Sequence, residues 1–154
     1  MRMPEPDAAV IARRAEIAAA LSRIVEAPGA VILPEDERRA YETDGLTAYR
    51  QLPLLVVLPS TTAEVAAVLR YCMDEGVKVV PRGAGTSLSG GALPMADAVV
   101  LGLMRMSRIL DIDYADRCAV VQAGVTNICI TQAVQGRGFE AFFLDARRVM
   151  RRAK

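Results

Sequence analysis

The chain has 154 residues, 53% of them hydrophobic, and a formal net charge of +1. That composition fits one globular domain able to bury a core and excludes a disordered chain. It contains no histidine, which removes histidine acid–base chemistry and the usual zinc sites from its repertoire.

The first residues, MRMPEPDAAV, carry acid and proline where a secretory signal needs an apolar run. Residues 8–25 follow with Val10, Ile17, Leu21 and Ile24 on one helical stripe, Asp7 as cap and Pro28-Gly29 as stop. Residues 34–50 are polar and read as irregular, with a turn at Asp44-Gly45. Leu54 to Leu58 is a short continuous apolar run, the pattern of a strand buried on both faces. The longest apolar stretch, residues 52–59, is far too short to cross a bilayer, so no integral membrane segment is expected. Thr61 and Glu64 have capping-box spacing. Behind them Val65, Val68, Leu69, Cys72 and Met73 predict a helix with one apolar face, ending at Gly76.

Val77 to Val80 predicts a second strand, and the crossover before it is long enough for parallel pairing. Ala98 to Leu101 predicts another. Ile109 to Asp113 and Cys118 to Gln122 predict a hairpin turning at residues 114–117, and Thr126 can cap a last helix. A βαβ start followed by further strands makes the fold class α+β. Cys72, Cys118 and Cys129 are odd in number and lack C-x-x-C spacing, as expected of buried free thiols in a reducing cytoplasm. Five basic groups crowd into residues 147–154, leaving the remainder mildly acidic and a nucleic-acid-binding surface unexpected.

Directly after the Val77–Val80 strand comes PRGAGTSLSGG, residues 81–91. Glycines at 83, 85, 90 and 91 permit positive-φ turns that gather successive amide N–H groups into one concavity. Such a nest binds anionic oxygens, most often of phosphate. Thr86, Ser87 and Ser89 add hydroxyl donors, and Arg82 can add a charge-assisted bond. Three known phosphate loops fail here. The G-x-G-x-x-G pattern starts at Gly83 and Gly85 but meets Leu88. The P-loop spacing of Gly85 and Gly90 is followed by Gly91-Ala92 instead of Lys-Thr. A kinase loop needs a lysine on the next strand, and the lysines are only Lys78 and Lys154. On composition alone, a plain Gly/Ser-rich turn stays an open alternative.

The stretch VVPRGAGTSLSGGALP, residues 79–94, resembles the pyrophosphate loop of the FAD-linked subunit of glycolate oxidase and its D-lactate dehydrogenase relatives. These have an FAD-binding domain of the p-cresol methylhydroxylase type. VVLPSTTAEVAAVLRYCMDEGVKVVPRG resembles the opening βαβ unit of that family, and MSRILDIDYADRCAVVQAGVTNICITQAV the strand pair and helix that follow. By position the resemblance implies that Arg82, Gly83, Ala84, Gly85, Thr86 and Ser87 contact the pyrophosphate, with Gly90 and Gly91 close behind. Some relatives attach flavin through a histidine in this loop. Thr86 occupies that slot here, which implies non-covalent FAD. Gly124 falls in a strand-end turn near the cofactor, and the turn itself is the favoured reason for a glycine there.

The resemblance runs from the low forties to the mid-130s. After Gly138-Phe139 the family continues into a Pro-Asp-Pro-Ser-Ser segment and a Gly-Gly-Asn stretch, and neither is present. The change of pattern and the arginine-rich end lead to the expectation of a frame shift or truncation near residue 139. A short helix is one expectation for the tail, with Phe142, Phe143, Val149 and Met150 apolar among arginines. The resulting division is a lead-in over 1–50, a partial FAD-binding domain over 51–138 and a divergent tail over 139–154.

The resemblance implies the FAD-binding part of an oxidoreductase acting on a small 2-hydroxy acid such as glycolate or D-lactate, and the thiols make the expected setting cytoplasmic. The resemblance also implies flavin and iron–sulfur partner subunits. The alternatives are a catalytically inactive fragment and a binding module for another phosphate-bearing ligand. No residue has a claim to be the catalytic base, and no metal site is expected.

Overall fold

A computed structural model describes the backbone at residues 4–144 and 147–152. The chain divides into two compact units, up to Arg105 and from Met106 onward.

In the first unit the amphipathic N-terminal stretch forms α1 (Ala8–Ala12) and α2 (Arg14–Ile24), with Asp7 accepting from the amides of Ala9 and Val10. The single helix expected over 8–25 is interrupted at Arg13, whose φ and ψ of −86° and 8° leave the helical region. The short β1 (Val31–Ile32) follows. The segment expected to be irregular contains α3 (Glu35–Arg38) and a turn of 3-10 helix at Arg39–Tyr41. Its organiser is Arg38, buried, with Nε donating to the Leu33 carbonyl at 3.0 Å and Nη1 to that of Pro53 at 2.5 Å. Burial, followed by the nearby charge of Arg14, lowers the pKa of this guanidinium.

β2 (Leu55–Val57) is buried throughout, as its apolar run requires. α4 (Thr62–Asp74) opens on the expected capping box: the Thr61 hydroxyl accepts from the Glu64 amide, and the Glu64 carboxylate from the Thr61 amide. Its buried stripe is narrower than the sequence pattern predicts. Val68 and Cys72 are buried, whereas Leu69 and Met73 are 45% and 76% exposed. The helix meets the sheet along one edge of its apolar face, so these two side chains stand beyond the contact.

At the other end Gly76, at φ +67°, donates to the Met73 carbonyl, and Val77 to that of Cys72. This Schellman pair turns the chain into β3 (Lys78–Arg82). β4 (Ala98–Gly102) then inserts between its predecessors, giving the order β1-β2-β4-β3. β2 and β3 both run parallel to β4, with Val56 and Val80 each beside Val100. The βαβ strands are therefore co-directional but not neighbours.

Alternation along the strands divides the core. Leu55, Val57, Val99 and Leu101 pack with Ile17, Leu21, Val68 and Cys72 of the helices. Val56, Val80, Ala98 and Val100 face the other way, where Tyr41 and Met95 cover them. Each fully buried large side chain contributes about 1.5–3 kcal/mol. Burial also pushes the Cys72 thiol up to about 11.

The second unit holds the expected hairpin, β5 (Ile109–Asp113) and β6 (Cys118–Val121), with a bulge between Ile109 and Asp111. A turn from Gln122 to Val125 contains Gly124 and leads to α5 (Asn127–Val134), capped by Thr126. Gly138, at φ +74°, ends the helical region. The tail then forms β7 (Phe139–Leu144) and β8 (Arg147–Arg152), not a helix, in a sheet of order β5-β6-β8-β7. Pairing of Val149 opposite Cys118 gives the exposed edge of β6 backbone partners that a helix would not supply. Residues 145 and 146 lie outside the described residues. Cys118 and Cys129 are exposed, which corrects the expectation of three buried thiols: hairpin and helix turn those positions outward.

Candidate functional site

Parallel strands β2, β4 and β3 all end on the same side of their sheet, the side on which open α/β sheets bind ligands. The glycine loop leaves β3 there. Lys78 and Asp97, at the opposite end, form an ion pair at 2.6 Å in which Asp97 also accepts from the Asp7 amide at 2.9 Å. Burial pushes the Asp97 carboxyl up. The bonds from Lys78 and from the amides of Asp7 and Asp97 outweigh it and hold the carboxyl below its ordinary value.

The loop is built on one arginine. Arg82 is only 8% exposed, and its Nη1 donates to the carbonyls of Thr43 at 2.7 Å and Ala92 at 3.3 Å. Its guanidinium carbon lies 5.7 Å from the centre of the Tyr41 ring, a cation–π distance. Among the described residues no carboxylate forms an ion pair with it. A buried cation without a counter-ion is costly unless a ligand completes it.

Gly85 crosses directly against this guanidinium at φ +73°, and a Cβ there would run into Arg82 Nη2. Gly90 makes a second left-handed turn at φ +76°. Between them the Ser87 hydroxyl accepts from the amides of Ser89 and Gly91, both at 3.3 Å, which folds the loop back on itself. Gly83, Ala84 and Thr86 are exposed, and Gly85 and Ser87 half-buried. Among the described residues the amides of Ala84, Gly85, Thr86 and Ser87 find no acceptor within the protein. The arrangement is a surface run of free donors over a buried positive charge, suited to an anion with several oxygens.

The structure thus brings Arg82, Gly83, Ala84, Gly85, Thr86, Ser87, Gly90 and Gly91 into one loop. It adds a wall that the sequence reading treated as a turn in a lead-in. The Leu46 amide donates to the Ser87 carbonyl at 3.1 Å. Gly45 lies so close that a Cβ would come within 2.9 Å of the Thr86 and Ser87 carbonyl oxygens. The signal was there in Gly45, a glycine required by close approach, but its partner forty positions on was not readable. Among the described residues no group of three or more metal-ligating side chains occurs.

The site is thus a mixed, largely parallel sheet with an open glycine loop at its carboxyl edge, the architecture of a nucleotide-binding class of domain. The family model described as FAD binding domain matches residues 53–146, and the chain belongs to that family.

Among curated proteins, the chain is 54% identical over 108 residues to glycolate oxidase subunit GlcD of Escherichia coli, covering 70% of this chain and 22% of that protein. It is 41% identical over 107 residues to D-lactate dehydrogenase of Archaeoglobus fulgidus, covering 69% and 23%. The chain therefore spans about a fifth of the length of these relatives.

Among solved structures, 4-ethylphenol oxidase from Gulosibacter chungangensis superposes with a TM-score of 0.74 and 23% identity, over 92% of this chain and 28% of that one. A p-cresol methylhydroxylase with substrate bound gives a TM-score of 0.73 and 19% identity, over 90% and 27%. These two likenesses speak to the fold alone.

Proposed function

We propose that this chain holds the diphosphate of FAD, without a covalent link, in a flavin-dependent oxidoreductase acting on a small 2-hydroxy acid such as glycolate or D-lactate. The observation that carries the reading is the loop over residues 82–91, whose amides at 84–87 have no acceptor, and whose Arg82 has no counter-ion, among the described residues. The amides of Gly83, Ala84, Gly85, Thr86 and Ser87 are the donors for the diphosphate oxygens, the Thr86 hydroxyl adds another, and Gly90 and Gly91 shape the return of the loop. Arg82 neutralises the anion from beneath while bracing the loop. A threonine at 86, in a chain without histidine, supports non-covalent attachment.

When bound, FAD supplies the acceptor for a hydride; the protein orients and tunes it. The 2-hydroxy acid rests on the names of the relatives, a glycolate oxidase subunit and a D-lactate dehydrogenase; flavin and iron–sulfur partner subunits and a cytoplasmic setting rest on the sequence reading alone. Among the described residues no helix is long and apolar enough to cross a membrane. No catalytic base is assigned.

The test is titration of the purified chain with FAD, followed by flavin fluorescence, beside Gly85→Val. Saturable binding by the wild type, weakened at least about 100-fold in the variant, supports the reading. That loss is expected because valine both clashes with Arg82 and forces a left-handed conformation costing about 1–2 kcal/mol. Equal affinity in the two proteins overturns it. Tighter binding of an unrelated phosphate compound than of FAD would favour a module for another ligand. Turnover of glycolate or D-lactate with an artificial acceptor separates an active oxidoreductase from a binding fragment.

A further inference from the structure

Asp44 is 4% exposed, and only one of its carboxylate oxygens has work to do in the protein. Oδ1 accepts from the Leu46 amide at 3.0 Å, closing the turn that carries the Ser87 contact. Oδ2 is fully buried and, among the described residues, has no hydrogen-bond partner. An unmade bond on a buried carboxylate is among the more costly defects a fold can carry, so such an oxygen calls for a donor.

Asp44's neighbours in the chain lie against the glycine loop. The residue before it, Thr43, is tied through its carbonyl to Arg82 Nη1. The residue after it, Gly45, lies so near the Thr86 and Ser87 carbonyls that a Cβ would collide with them. Asp44 is therefore set between the brace of the loop and the loop itself.

A carboxylate in this place repels the phosphates but accepts hydrogen bonds well from hydroxyl groups. In FAD the diphosphate is flanked on both sides by hydroxylated carbon groups, the ribose ring and the ribityl chain. Whichever way the ligand runs along the loop, a polyol adjoins the diphosphate.

We infer that Asp44 is a ligand-binding residue: on binding, the 43–46 wall gives enough for the oxygen that is closed off here to accept a hydrogen bond from a sugar or sugar-alcohol hydroxyl of the nucleotide. This rests on the FAD reading and extends the site to the 41–46 segment. Asp44 in addition works against the phosphates, which biases the site toward ligands that place a hydroxyl, and not a further anionic oxygen, beside this wall.

The experiment compares wild type, Asp44→Asn and Asp44→Ser by FAD titration and by thermal melting without ligand. Both variants keep an acceptor for the Leu46 amide, so the turn is retained. The expected result is FAD affinity reduced about 10-fold or more, as for loss of a bond to a charged group, with a ligand-free melting temperature equal to or above that of the wild type. Parallel titrations with ADP and FMN locate the hydroxyl: a loss with ADP assigns the ribose, and a loss with FMN the ribityl chain. Unchanged FAD affinity in both variants overturns the inference and leaves the cofactor reading standing. So does a drop in ligand-free melting temperature with no change in the affinity of the folded protein, which makes Asp44 structural. No FAD binding by the wild type overturns both readings together.

Discussion

The two ends of β3 are both turned by a left-handed glycine, and the two turns are opposites in every other respect. At the entrance Gly76 has a φ of +67°, with nothing among the described residues within 4 Å of where a Cβ would stand. Its amide and that of Val77 are both consumed by carbonyls of the preceding helix. At the exit Gly85 has nearly the same φ, +73°, but lies against the Arg82 guanidinium, and the amides around it have no acceptor within the described protein. One turn closes on itself and the other is left open. Positive φ alone therefore does not mark a site; unsatisfied donors over an uncompensated charge do.

Substitutions at the exit should be felt first as lost binding. Gly85→Val, with its loss of at least about 100-fold in FAD affinity, is the largest effect expected. Arg82→Met comes next. It removes the charge beneath the loop and the bonds to Thr43 and Ala92 while keeping much of the side-chain volume. Charge-assisted bonds of this kind contribute about 1.5–3 kcal/mol, so a loss of about 10- to 100-fold in FAD affinity is expected from titration. Arg82→Lys should recover only part of it: one ammonium can serve both carbonyls, as Nη1 alone does, but it offers no flat guanidinium face to Gly85 and Tyr41. Full recovery with lysine would reduce the role of Arg82 to its charge.

At the entrance the reverse holds. Gly76→Ala has room for its methyl group but must adopt a conformation that costs an L-residue about 1–2 kcal/mol. Denaturant unfolding should show that loss, and FAD affinity of the folded protein should not change. A fall in affinity at Gly76 comparable to that at Gly85 would mean that the two turns are coupled through β3 and the contrast between them is false.

The entrance was legible in the sequence because its determinants are local. Thr61 and Glu64 sit three residues apart, and Gly76 follows the last turn of the same helix, so cap, helix and stop could be read from one short window. The loop was legible by the density of its glycines and hydroxyls, and its family resemblance gave those residues a purpose.

What escaped was non-local. Nothing in the spacing announces that β4 slides between β2 and β3, since that depends on pairing across a long loop. Leu69 and Met73 fit the helical period but lie beyond the contact with the sheet. The wall at Thr43–Leu46 meets the loop some forty residues later in the chain, and Arg82 looked like a ligand group when it is first a brace. Local pattern carried the elements, while the burial of Arg82 and Asp44 needed the tertiary fold.

The smallest effect expected is electrostatic and belongs to the entrance. Lys78 is 47% exposed, and its partner Asp97 is 2% exposed. Exposure of the lysine keeps the pair modest, about 1 kcal/mol. Asp97 is held below its ordinary value in the folded protein, so the folded state binds its proton less readily than the unfolded state. The stabilisation is therefore complete above the unfolded carboxylate value of about 4 and is lost as the pH falls through the lower folded value. Lys78→Met should melt below the wild type at neutral pH, and the two curves should draw together as the pH drops below about 4. FAD affinity at neutral pH should be equal in both, because Lys78 stands at the far end of the strand from Arg82. A gap in melting temperature that persisted unchanged into acid would show that Lys78 stabilises the sheet through packing of its stem and not through its charge.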